Sequence, residues 1–123
     1  MNEELTQLLR EEFPVLFGPT NYSDFLRGFG FECHDGWYQL IRKFAKKCKE
    51  HNLQHPDKPI VALIVKEKFG GLRIQGLSNM TEELWSTLRE VEEESFFVCE
   101  VCGKPGKLYV ENYWYKTRCK EHV

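Results

Sequence analysis

The chain has 123 residues, 41% of them hydrophobic and 14% aromatic, which is too apolar for a disordered tail and long enough to bury a core. A net charge of -2 argues against a protein that coats duplex nucleic acid by bulk electrostatics, and no apolar run approaches the roughly 18 residues of a membrane span. The acidic start Met1-Asn2-Glu3-Glu4-Leu5 lacks the order of a secretory signal, and five cysteines with mostly metal-type spacing fit a reducing cytosol, so a cytoplasmic protein without a membrane partner is expected.

Leu5, Leu8, Leu9 and Phe13 recur at helical spacing, which predicts an amphipathic helix over residues 3–13 that ends at Pro14. Residues 15–30 mix Phe17, Tyr22, Phe25 and Phe29 with glycines and Pro19, the pattern of an irregular, aromatic-anchored stretch with one helical turn. A second helix starts at Asp35 or Gly36, with Asp35 suited to cap it. Trp37, Leu40, Ile41, Phe44, Ala45 and Cys48 fall on one arc of that helix and Arg42, Lys43, Lys46, Lys47 and Lys49 on the other. It fades at Asn52.

The β-rich run from Ile60 continues to Phe69, and Gly70-Gly71 then separates it from Leu72-Arg73-Ile74-Gln75, which predicts a hairpin. A turn at Gly70-Gly71 sets Lys68 opposite Arg73 and Lys66 opposite Gln75. It also puts Val65, Glu67, Phe69, Leu72 and Ile74 on one face, away from Lys66, Lys68 and Arg73. Asn79 or Thr81 caps a third helix with a buried stripe of Leu84, Leu88 and Val91, and residues 108–115 supply a further strand. The fold class is α+β, helices packed on a small antiparallel sheet in the order ααββα, with residues 1–95 as the α+β domain and 96–123 as a zinc-ribbon module packed on it.

Cys99-Glu100-Val101-Cys102-Gly103 and Cys119-Lys120-Glu121-His122 carry the strongest chemical signal. Two pairs with two intervening residues supply the four ligands of a tetrahedral Zn2+, and Gly103 lets the chain turn under the metal. Four protein ligands close the coordination sphere, so Cys99, Cys102, Cys119 and His122 form a structural site that activates no water. A redox C-x-x-C is the competing reading, but such a pair opens a helix, whereas a strand pattern follows here.

Three cations, Lys66, Lys68 and Arg73, share one small hairpin face. Like charges in that arrangement cost stability, which suggests an anionic guest, and Gly70 and Gly71 would let a phosphate approach the backbone N–H groups. Trp37 or Tyr38 would stack a base. Lysines that only blunt an edge strand, or are neutralised by the glutamate-rich third helix, are the plainer explanation. Cys33-His34-Asp35 invites a nucleophilic or acid–base reading that the sequence does not complete, because Asp35 already has a capping role. Cys48 and His51 repeat the metal spacing, but on a helix that is one turn of an amphipathic face, which is the plainer explanation than a second metal site shared with Cys33 and His34. Tyr113-Trp114-Tyr115 could stack bases or simply pack the ribbon.

Taken together, Asp35-Gly36-Trp37, Val65-Lys66-Glu67-Lys68-Phe69-Gly70-Gly71-Leu72-Arg73 and the two cysteine pairs resemble a family of small uncharacterised phage and bacterial proteins with a terminal zinc ribbon, over residues 30–123. The resemblance implies a phage or prophage setting and the metal, but no reaction. The expected function is a non-enzymatic zinc-containing binding protein, a counter-defence factor that sequesters a phosphorylated small molecule such as a nucleotide or signalling nucleotide. The alternative is a zinc-ribbon adaptor that contacts nucleic acid or a host protein through the basic face of the second helix.

Overall fold

A computed structural model describes residues 1–18 and 31–123. The first helix, α1 (Glu3–Glu12), starts where the Asn2 side chain accepts the Leu5 N–H, and a short α2 (Pro14–Phe17) follows at once. Pro14 therefore ends one helix by opening the next, since its missing N–H is no loss in a first turn. Leu9 and Phe13 are buried as the periodicity requires, whereas Leu8 stays exposed. The expected helical turn is α2; Tyr22, Phe25 and Phe29 lie outside the described residues.

Strand β1 (Phe31–Glu32) leads into a tight 3-10 turn, Asp35–Trp37, and then α3 (Tyr38–Gln54). Asp35 does not cap this helix; its carboxylate instead accepts the Asn2 backbone N–H and side-chain amide, at 2.8 and 3.0 Å. All six apolar positions expected on the inner arc of α3 are buried. The helix runs past Asn52, whose buried side chain exchanges two hydrogen bonds with the backbone of Ile60.

Strand β2 (Ile64–Lys68) starts later than the apolar run because residues 60–62 spend their N–H groups elsewhere. Ile60 gives its N–H to Asn52, Val61 to Ser78, and Ala62 to the Leu16 carbonyl of α2. Strand β3 (Gly71–Gln75) pairs antiparallel with β2, while β1 joins the other side of β2 in parallel, so the small sheet is mixed, in the order β1-β2-β3.

The hairpin turn is Phe69-Gly70, not Gly70-Gly71. Both residues are left-handed, φ 53° and 85°, as a two-residue turn matched to strand twist requires. Lys66 therefore faces Arg73 and Lys68 faces Gly71. The slip from Arg73 to Gly71 is an even number of residues, so the faces remain sorted: Val65, Leu72 and Ile74 are buried, and the three cations point the other way.

Thr81 caps α4 (Glu82–Glu94) by accepting the Leu84 N–H, and Leu84, Leu88 and Val91 form its buried stripe. The C-terminal end of α4 closes the open edge of β3: Glu92 accepts the Ile74 N–H, and the Ser95 hydroxyl accepts that of Leu72. Two strand donors that would template aggregation are thereby satisfied. A 3-10 turn, Ser95–Phe97, delivers the chain to the cysteine-rich segment and to a separate two-stranded sheet of β4 (Lys107–Glu111) and β5 (Trp114–Arg118). The class is α+β, as the sequence indicated, with four α-helices among the described residues.

Candidate metal centre

Cys99 and Cys102 occupy the turn between the 3-10 segment and β4, and Cys119 and His122 occupy the turn that follows β5. Antiparallel pairing of Lys107 with Arg118 brings the two turns together. The four ligand atoms lie within 4.8 Å of one another. A tetrahedron with metal–sulfur bonds of about 2.3 Å and a metal–nitrogen bond of about 2.0 Å has edges of about 3.8 Å between sulfurs and about 3.5 Å from sulfur to nitrogen. Here the Cys102 and Cys119 sulfurs are 3.7 Å apart, and His122 Nδ1 lies 3.8 Å from Cys99 Sγ and 3.2 Å from Cys119 Sγ. The residues fit a tetrahedral ion, and no disulfide competes for the thiols.

The backbone prepares this site. Burial works to raise the Cys99 thiol, but the N–H groups of Cys119, Cys102 and Val101 directed at its sulfur outweigh burial and hold it at about 6. That favours the thiolate a metal needs. Gly103, at φ 82°, turns the chain so that its N–H bonds the Cys99 carbonyl at 2.9 Å. A helix does not follow Cys102, which removes the redox reading of this pair.

Glu100, between the two cysteines, is 3% exposed. Its carboxylate receives Arg118 Nη1 at 3.0 Å, and the His34 backbone N–H and ring Nδ1 at 3.1 and 2.9 Å. Its backbone is also engaged, accepting the Gly36 N–H and donating to Thr117. A Cβ at Gly36 would stand 2.0 Å from the Cys99 carbonyl oxygen, so only glycine admits the knuckle here. Trp37 completes the seam, with its indole N–H on the Val98 carbonyl at 2.9 Å. Sequence reasoning missed the Glu100 network, since a charged residue between two cysteines carries no mark of burial. The Gly36-Trp37 pair was the one visible trace.

Several expected ligand residues have other work. Trp37 is 0% exposed and has no face for a base. Tyr38 packs against the core at the start of α3. Gly70 gives its N–H to Glu67 at 2.8 Å and its carbonyl to the Thr117 hydroxyl, and Leu108 fills the space beside its Cα. The Phe96 ring sits where a Gly71 side chain would be. These glycines admit neighbouring side chains, not a phosphate. Lys66, Lys68 and Arg73 do share the outer face of β2–β3, and among the described residues none of them forms an ion pair.

The basic face of α3 is partly neutralised. Arg42 makes a bidentate pair with Glu12 at 2.8 Å, and that hydrogen bond holds the Glu12 carboxyl below its ordinary value. Lys43 meets Glu94 at 3.3 Å. Cys33 and Cys48 are buried, which pushes both thiols up to about 12, so neither is poised as a nucleophile or ligand. No second metal cluster occurs among the described residues. No helix of the described residues is long and apolar enough to cross a membrane. No family model, curated protein or solved structure matches the chain.

Proposed function

We propose that this protein is a non-enzymatic binding adaptor, organised by a structural zinc ion, whose ligand is nucleic acid. Three thiolates and an imidazole form a donor set that suits zinc and leaves no open coordination position. The observation that carries the ligand class is the direct opposition of Lys66 and Arg73 across β2–β3, with Lys68 beside them and no ion-paired acid among the described residues. Opposed like charges are tolerated where a polyanion neutralises them.

A polymer fits this patch better than a free nucleotide. Small ligands need concave sites that bury most of their surface, whereas the three cations stand together on the outer face of a strand pair. Among the described residues, Trp37 is enclosed and the space beside Gly70 and Gly71 is filled, so none of the three offers a base a face to stack on. Backbone phosphates need only accessible cations, and here Lys68 is exposed while Lys66 and Arg73 are half-buried. In the phage setting implied by the resemblance, a counter-defence factor that sequesters a signalling nucleotide is the competing reading.

Binding of labelled oligonucleotides measured against salt tests the proposal. The expected result is an affinity that falls with ionic strength, and a salt slope reduced by about 1 for each of Lys66→Ala and Arg73→Ala. Affinity for a free nucleotide alone would overturn the nucleic-acid proposal in favour of the competing reading. Absence of any binding would overturn both.

A further inference from the structure

The β4–β5 hairpin has two unlike faces. Leu108, Val110, Tyr115 and Thr117 share one of them. It turns toward the other hairpin, with Leu108 beside Gly70, Tyr115 edge-on to Phe69 at 5.5 Å, and Thr117 bonded to the Gly70 carbonyl. The opposite face carries Lys107, Tyr109 and Glu111 on β4 against Arg118, Lys116 and Trp114 on β5. Trp114 is 70% exposed.

From these contacts the geometry points to a single-stranded nucleic-acid platform on this outer face. The inference rests on the proposal that the ligand is nucleic acid, and it adds which form is bound and where. Tyr109 pairs with Lys116, and Trp114 is the next residue but one along β5, so the two aromatics are diagonal neighbours on one surface. Unpaired bases expose their flat faces and stack on such rings, whereas a duplex hides them. Lys107 lies over the Tyr109 ring at 5.2 Å, and Lys116 stands beside Trp114 on the same face, which interleaves cations for phosphate with rings for bases.

Charge supports this occupant. The whole chain is net -2, yet residues 104–120 hold Lys104, Lys107, Lys116, Arg118 and Lys120 against Glu111 alone. Arg118 is committed to Glu100 and Lys104 lies near Glu121, but Lys107, Lys116 and Lys120 have no ion pair among the described residues. Trp114 and Lys116 also wall a cleft of about 380 Å³ whose far side includes His34, Glu67 and Glu100. The Glu100 carboxylate there is committed to Arg118 and His34, whereas Glu67 spends one oxygen on the Gly70 N–H and can accept a hydrogen bond from a base amino group through the other. The hairpin tip adds Tyr113, 93% exposed and held at φ 65°, an unfavourable conformation for an aromatic residue.

The test compares a labelled oligothymidylate with a duplex of equal length, using the full chain with its metal content verified for each variant. The wild-type protein should prefer the single strand and lose tryptophan fluorescence on binding, a signal that Trp114→Phe abolishes while retaining much of the affinity. Trp114→Ala should weaken single-strand binding roughly 5- to 150-fold, the range expected for one lost stacking contact. Lys107→Ala and Lys116→Ala should each reduce the salt slope by about 0.7. A duplex preference overturns the inference. So does unchanged affinity in Trp114→Ala and Tyr109→Ala; if Lys66→Ala and Arg73→Ala then still weaken binding, the broader proposal survives. Failure to bind either form removes both.

Discussion

The molecule holds two hairpins of the same design by different forces. Each has two five-residue strands and a two-residue turn with both residues left-handed. The β2–β3 hairpin buries Val65, Leu72 and Ile74 against helices, whereas in β4–β5 only Thr117 is fully buried, and Leu108, Val110 and Trp114 remain 40%, 56% and 70% exposed. A two-stranded hairpin without a core is marginal in water. The first is therefore an element of the hydrophobic fold, and the second is gathered at its two ends by a cysteine–histidine cluster that could hold a metal ion. Freed from a packing role, the outer face of the second hairpin can carry aromatic and basic side chains that a core would exclude.

Removing the metal should separate the two hairpins most sharply. Chelation, or Cys99→Ser, should release residues 98–122 to rapid hydrogen exchange while β2–β3 and the helices stay protected, since metal binding in small modules contributes on the order of 10 kcal/mol to folding. Persistent protection of β4–β5 without metal would break the comparison. Alkylation sharpens it further. Cys33 and Cys48, with thiols raised to about 12 by burial, should resist iodoacetamide near pH 8 before and after chelation, because they hold their protons far above that pH. Chelation should expose only Cys99, Cys102 and Cys119 to the reagent.

Next in size is Arg118→Ala, which leaves the buried Glu100 carboxylate without its cation. A loss of about 3–5 kcal/mol is expected, read from the urea midpoint of the metal-loaded protein. Gly36→Ala should cost about 1–3 kcal/mol and weaken metal retention in a chelator competition, because the added methyl meets the backbone of Cys99 and Glu100. The smallest effect has the opposite sign. Tyr113→Gly should stabilise the ribbon by up to about 1 kcal/mol in thermal unfolding, by relieving the left-handed tyrosine. A loss of stability instead would mean that the Tyr113 ring supports the tip.

These effects also divide what was legible in the chain from what was not. The inner arc of α3 and the stripe of α4 were readable because helical periodicity places burial directly on residue spacing. The four ligands were readable because coordination chemistry restricts both donor type and spacing. The hairpin register was not, since Phe69-Gly70-Gly71 permits two turns and the choice rests on Phe96 and Leu108 filling the space beside Gly71 and Gly70. Trp37 was misplaced as a base stacker for a similar reason: a tryptophan at the head of a helix looks the same in sequence whether it faces solvent or the Val98 carbonyl.

By itself, then, the sequence determined the α+β class, the buried faces of α3 and α4 and the residues of the candidate metal centre, because each is a local rule of spacing. Only the tertiary structure decided that Glu100 is a buried anchor for His34 and Arg118, that Gly36 is a contact point for the knuckle, and which cations have no ion-pair partner among the described residues. Those properties arise where segments some 60 residues apart in the chain meet, and spacing within one segment carries no information about the other.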